Sequence, residues 1–418
     1  MGIRGLLPIV AAGALAAGCG AEAAPTPGGV VRAPVGRVQS AVPAGDAAAL
    51  RAGNAEFAGR LLALLARTHA TVALSPASIS EALAMTFAGA RGATATQLAH
   101  ALDFRLPPAR LAAAYNALEV SLAKVNGPAV TLHVANALYG QAGESFRRAF
   151  LGLLAREYGA GLRTVDFAHQ PDAALAAINA WVSAQTAGKI PQLLDAGDIQ
   201  PLTKLVLVNA VYLDAKWLEP FEPQNTSLAP FHAPSGTVQV RTMHQSASFP
   251  YLAAAGYQAV ELPYRGGRLA FDILLPGPGQ LRSLLARLAA LGPLQLLHGL
   301  RATELGLALP KLQLTTRFEL AGALGRLGMP LAFEPGGADL SGIAGEPGDL
   351  YISAVVHEAY LRVDEEGTQA AAATGVGVTG TAVMAPPPVQ VVVNRPFVFV
   401  LRDVKTGAVL FTGVVSRP

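Results

Sequence analysis

Several stretches of this chain carry residue types that do chemistry elsewhere, and their spacing decides whether they could do it here. Gly375-Val376-Gly377-Val378-Thr379-Gly380 has the GxGxxG spacing of a turn that cradles phosphate. That turn works between a strand and a helix, with an acidic residue about twenty positions on to hold a ribose hydroxyl. No strand leads directly into this one, no helix follows it, and Arg395 and Arg402 stand where the acid should be. His357-Glu358 opens an HExxH zinc pattern, but Leu361 takes the place of the second histidine. Gly188-Lys189 is followed by Ile190, so the hydroxyl of a P-loop is missing, and there is no GxSxG elbow to seat a nucleophilic serine. The one cysteine, Cys19, rules out a disulfide within the chain and a multi-cysteine metal centre. No catalytic residue, metal ligand or cofactor is therefore expected, and the chain is expected not to be an enzyme.

Composition narrows the class further. Of 418 residues 52% are hydrophobic and only 14% charged, the balance of a core-rich folded protein rather than a solvated tail. The formal charge is +3, from 31 basic and 28 acidic residues, and no basic run exceeds Arg147-Arg148. Nucleic-acid binding is not expected, nor a basic helix face for an activating polysaccharide.

The first residues read as an export segment. Arg4 gives a positive start and Leu6 to Ala17 a short apolar run, too short to span a bilayer comfortably. Leu15-Ala16-Ala17-Gly18-Cys19 resembles a bacterial lipoprotein box. The resemblance implies cleavage after residue 18, a lipid on Cys19, and a protein anchored to a membrane in an extracellular or periplasmic setting; an ordinary signal peptide cut near Ala24 is the alternative. Residues 19–45, rich in Pro, Ala and Gly, read as an extended tether, and 46–418 as the globular domain.

Within that domain, Ala47 to His69, a segment opened by Ser75-Pro76, Ala109 to Lys124, Phe146 to Tyr158 and Ala173 to Thr186 have helical periodicity. From Leu205 the period shortens. Leu205 to Leu213 is an apolar run suited to a strand buried on both faces. Val238 to Met243, Gln258 to Leu262, Leu269 to Leu275, Leu305 to Leu309, Val355 to Val363, Val389 to Val393, Phe397 to Arg402 and Ala408 to Val415 continue the pattern. Leu281 to Leu291 and Phe318 to Leu327 read as helices between them. Helices early and strands late predict an α+β fold.

One segment fits neither pattern. Gly367 to Pro388 has no charge in 22 positions. Thr368, Ala370, Ala372, Thr374, Val376 and Val378 alternate with a second set of small residues, and no proline occurs before Pro386. It is a loop whose side chains would permit it to become a strand.

These features converge on one family. Ser75-Pro76-Ala77-Ser78-Ile79, Val208-Asn209-Ala210-Val211-Tyr212 with Trp217, Glu261-Leu262-Pro263-Tyr264, Leu309-Pro310-Lys311, Ala338 to Ile343 and Asn394-Arg395-Pro396-Phe397 together resemble the serpin signatures, in register from about Ala52 to Pro418. The resemblance implies three β-sheets, eight or nine helices and an exposed reactive-centre loop. It implies suicide inhibition of serine proteases by a monomer: the protease acylates itself on the loop, and the cleaved loop enters the main sheet as a new strand. By the same resemblance the hinge is Glu365, Glu366, Gly367, Thr368, Gln369, Ala370, Ala371, Ala372, Ala373 and Thr374. Ser75, Ser78, Asn209 and His357 match the polar cluster beneath the opening sheet, and Trp217 the point where insertion begins. Counting Glu365 as first, the seventeenth residue puts the reactive bond at Thr381-Ala382, with Met384-Ala385 as competitor. Either bond favours elastase-, subtilisin- or chymotrypsin-like partners over trypsin-like ones. The alternative is a non-inhibitory member, or a surface binding protein, whose loop is only a substrate. Glu358 stands where the family commonly has lysine.

Overall fold

The computed structural model describes residues 29–39, 41–368 and 387–418. In chain order the first half runs β1 (Val30–Val31), α1 (Ala44–Leu65), β2 (Val72–Leu74), α2 (Pro76–Gly89), α3 (Gly92–Ala101), α4 (Pro108–Ala123), β3 (Val130–Gln141), α5 (Arg148–Glu157), β4 (Leu162–Val165), α6 (Pro171–Gln185) and β5 (Leu205–Lys216). Next come β6 (Thr226–Ala233), β7 (Gly236–Ala254), β8 (Tyr257–Pro263), β9 (Leu269–Pro276), α7 (Leu281–Leu291), α8 (Pro293–Leu296) and β10 (Arg301–Pro310). The chain closes with β11 (Leu312–Glu319), α9 (Ala321–Arg326), β12 (Ile352–Val363), β13 (Gly367–Thr368), β14 (Val389–Val392), β15 (Phe397–Asp403) and β16 (Val409–Val415). The fold is α+β.

The main sheet has the order β1-β4-β3-β5-β12-β11, with β13 also on β5. Because side chains alternate along a strand, the apolar run of β5 faces two cores at once. Leu205 and Leu207 pack in the core built on α1 and α2, whereas Val206, Val208 and Ala210 pack with Ile178 and Val182 of α6. Higher up, Val211, Leu213 and Ala215 join the core shared with Phe271 and Phe399 of the second sheet. On one side β5 pairs antiparallel with β3; on the other it pairs parallel with β12, from Leu205 opposite Ile352 to Tyr212 opposite Tyr360.

The second sheet runs β14-β10-β7-β8-β9-β15-β16-β2, with β6 on β7. The 19 residues of β7 pair with β6 and β10 along most of their length and with β8 at Tyr251–Ala254. The expected second and third sheets are thus hydrogen-bonded through one long strand.

Two local readings change. Phe318 is not helical: it lies in β11, opposite His357, and the helix begins at Ala321. Ser75 holds the N-cap position of α2 without a side-chain capping bond. Part of the Pro/Ala/Gly-rich segment, moreover, is extended against the domain. Val30 and Val31 pair with Arg163 and Leu162, the Val38 N–H donates to the Arg156 carbonyl at 2.9 Å, and Arg37 donates to Asn116 Oδ1 at 2.8 Å.

Candidate functional site

The residues singled out in the sequence gather on one seam, the junction of β5 and β12, at two heights. At mid-height Asn136, Asn209 and His357 stand in one row across β3, β5 and β12. This follows from the register, which sets Asn209 opposite both of the others. His357 is fully buried, and burial pushes its imidazole down to about 3, so the ring is neutral at any working pH. Its Nε2 accepts the Ser75 N–H at 3.1 Å. The ring proton is therefore on Nδ1 and goes to Asn209 Oδ1. Asn209 Nδ2 in turn meets Ser78 Oγ and Asn136 Oδ1, Ser78 donates to Asn136 at 2.7 Å, and Asn136 Nδ2 donates to Glu81 Oε2 at 2.8 Å. Both imidazole nitrogens are committed, so His357 has no lone pair left for a metal.

Asn136 and Glu81 are members that the sequence reading did not find. Glu81 lies on buried α2, and its carboxyl is pushed well above the ordinary range, first by burial and then by neighbouring Glu119. Only the missed strand β3 brings Asn136 to it.

At the top of the seam a different set takes over. Trp217, fully buried, stacks on Tyr264 with ring centroids 4.4 Å apart and donates Nε1–H to the Asp364 carbonyl at 3.0 Å. The Trp217 and Phe221 N–H groups donate to the Glu366 and Glu365 carbonyls at 2.8 and 2.7 Å. Glu365 is held by Lys311 Nζ at 2.6 Å and Thr226 Oγ1 at 2.8 Å. Burial pushes its carboxyl up, but these bonds together outweigh burial and leave it below its ordinary value. Beyond it, Gly367 and Thr368 pair antiparallel with Lys216 and Ala215 of β5. Gly367 has φ +155°, and a Cβ there would fall 2.0 Å from the Ala215 carbonyl oxygen, so only glycine brings the backbone this close. Thr368 is fully buried, its Oγ1 2.5 Å from the Tyr264 hydroxyl.

The start of the Gly367–Pro388 loop thus occupies the top of β5, while β5 and β12 pair directly with each other below. Gln369 to Thr374, Thr381, Ala382, Met384, Ala385 and Cys19 lie outside the described residues. Glu358 is buried beside the seam, opposite Arg317 across the β11–β12 ladder. Burial raises its carboxyl to about 7 against the pull of Arg317, whose guanidinium is already engaged by Asp195, Asp198 and the Leu193 carbonyl.

A two-sheet fold with a polar row across its main sheet and a two-residue loop strand at the head of the β5–β12 seam defines a class that comparison with known proteins makes specific. Residues 52–418 match the family model described as Serpin (serine protease inhibitor), and the chain belongs to the serpin family. Leukocyte elastase inhibitor A of Mus musculus is 38% identical over 381 residues, which span 88% of this chain and 99% of that one. An uncharacterized serpin-like protein of Thermococcus kodakarensis is 38% identical, over 85% of this chain and 82% of its own. The crystal structure of Serpin48 from the insect Tenebrio molitor superposes with a TM-score of 0.77 at 34% identity, covering 88% of this chain and 98% of that one. Members of this family are inhibitors rather than catalysts, and the chain is not an enzyme.

The same relatives correct one reading. Sequence relatives of this chain include mammalian, amphibian and archaeal proteins, the leukocyte elastase inhibitors prominent among them. The family match begins at residue 52, beyond the whole of the 1–45 segment on which that reading rested. The bacterial lipoprotein with a signal peptide at 1–18, a lipid on Cys19 and a secreted, extracellular or periplasmic place is accordingly withdrawn. Among the described residues no helix is long and apolar enough to cross a membrane.

Proposed function

We propose that this chain inhibits an elastase-like serine protease by suicide, acting as a monomer. The protease nucleophile attacks the loop's scissile carbonyl, at Thr381-Ala382 or Met384-Ala385, and forms an acyl-enzyme. The segment from Gly367 onward then adds to β5 as a strand, separating β5 from β12 and carrying the bound protease with it. One observation supports this above all: Gly367–Thr368 is already paired to β5 at the head of the seam. The loop needs only to extend a ladder that exists. The hinge of Glu365 to Thr374 suits the step, because Thr368, Ala370, Ala372 and Thr374 can be buried without stranding a charge. The preference for an elastase-like partner draws on the small or unbranched residues at either bond and on the relatives named leukocyte elastase inhibitor.

The test mixes the full chain with elastase, subtilisin, chymotrypsin and trypsin and runs denaturing gels with mass spectrometry. A covalent complex with elastase and a released C-terminal peptide is expected, and the first residue of that peptide selects between the two bonds. Clean cleavage with the protease left active would overturn inhibition while leaving the fold intact.

A further inference from the structure

Apart from the seam, α1, α4 and the β15–β16 hairpin enclose a groove of about 340 Å³, within the range of small-ligand pockets. Its walls are apolar because they are built from small side chains: Ala47 and Ala48 on α1 face Ala117 on α4. Its polar groups are few. Asn54, only 3% exposed, lies at the base and accepts hydrogen bonds at Oδ1 from Ser80 Oγ and the Tyr115 hydroxyl, each at 3.0 Å. With Oδ1 turned inward, Nδ2 is the polar atom left for the groove, and it has no partner among the described residues. One helical turn before it Arg51 lies over Gly407, and Lys405 stands on the hairpin beside them.

The charges around the groove are unbalanced. Asp46 is paired with Arg110, Glu119 with Arg37 and Asp403 with Arg268. Arg51 and Lys405 make no ion pair among the described residues. An apolar trough, two cations without a counter-ion and an unused amide donor are complementary to a narrow apolar body ending in one anionic head. We propose that this groove binds a medium-chain carboxylate, its hydrocarbon lying along the alanines and its head between Arg51, Lys405 and Asn54 Nδ2. The site is independent of the protease-inhibitor reading.

Isothermal titration of the full chain with sodium decanoate, decanol and decylammonium tests it. Decanoate is expected to bind saturably with a dissociation constant in the millimolar range or below. Decanol should bind about tenfold more weakly, as loss of charge-assisted hydrogen bonds requires, and decylammonium not at all. Ala48 is exposed on α1, so Ala48→Trp should fill the groove and abolish binding with an unchanged circular dichroism spectrum. Arg51→Ala combined with Lys405→Ala should equalise decanoate and decanol, and this variant decides the matter should Ala48→Trp misfold. Absence of saturable decanoate binding overturns the proposal. So does binding that survives Ala48→Trp, or equal binding of decanoate and decylammonium.

Discussion

At mid-height the β5–β12 seam is held by neutral side chains bonded to one another, with His357, Asn209, Asn136 and Ser78 at its centre. At its head it is held largely through backbone: the Glu365 and Glu366 carbonyls accept from the Phe221 and Trp217 N–H groups and a two-residue strand pairs with β5, with the Trp217 indole adding a bond to the Asp364 carbonyl. The difference separates two tasks. Backbone bonds at the head are indifferent to side-chain identity and can be continued by whatever strand follows. Side-chain bonds at mid-height are specific, and each buried partner left unpaired is costly. On the proposed mechanism the head is the part that is extended and the middle the part that resists until something takes its place.

Substitutions can break that contrast, and the largest effect belongs to the head. Thr368→Arg places a charge at a fully buried position, a penalty above about 2 kcal/mol. Cleaved, untrapped molecules should then outnumber complexes by roughly tenfold or more, read from the stoichiometry of inhibition. An unchanged stoichiometry would mean that the Gly367–Thr368 ladder is not the one the cleaved loop extends.

At mid-height, His357→Ala leaves the Ser75 N–H and Asn209 Oδ1 without their partner. It should lower unfolding stability by about 2–4 kcal/mol, measured by denaturant titration. Because burial holds the folded imidazole down to about 3 while the unfolded one titrates near 6.5, that loss should be full above pH 6.5 and should shrink as pH falls to 5, where only the unfolded wild-type chain takes up the proton. A loss of the same size at pH 5 and pH 8 would show that the ring is not held neutral in the folded chain.

Glu358→Gln probes the flank of the seam. The Glu358 carboxyl titrates near 7 in the folded chain against 4.5 ordinarily. Below pH 4.5 both states are protonated and the two proteins should be equally stable. Between 4.5 and 7 only the unfolded state ionises, so the native chain loses stability as pH rises. The variant should therefore be more stable at pH 8, by about 1–2 kcal/mol after solvent screening.

The smallest effect is expected from Lys311→Ala, which removes a partly exposed ion pair with Glu365. About 1 kcal/mol or less should be lost at low salt. Because the Glu365 carboxyl is held below its ordinary value, this contribution is present above pH 4.5 and disappears as pH falls through its lowered pKa.

Much of the seam was legible in the sequence because its strands are strongly marked. The nine apolar residues from Leu205 announce β5, and the neighbouring Asn209 and Trp217 came with recognisable motifs. β3 was not legible. Val130–Gln141 alternates imperfectly, with His133 and Val134 both exposed and Ala135 buried, because it is covered on only part of each face. Asn136 was lost with it, and with Asn136 the link to Glu81. β11 was misread at its end: Phe318 fits a helical face with Ala321 and Leu324, but pairing with β12 outweighs local periodicity. The exposed groove between α1 and α4 left no trace at all, since alanines on adjoining helices read as ordinary helix formers.

The connection between β12 and Gly367 has a consequence in time. Asp364 N–H bonds the Gly367 carbonyl at 2.8 Å, so the loop turns back within four residues of the strand it would lie beside. Pairing of β12 with β5 joins residues about 150 positions apart, and such distant contacts form slowly during folding. A newly made chain must complete the distant pairing before the nearby one claims the same edge. On the proposed mechanism that order of pairing is kept by a barrier, and the durability of the protein is a half-life, to be measured as loss of activity over days rather than read from a melting temperature.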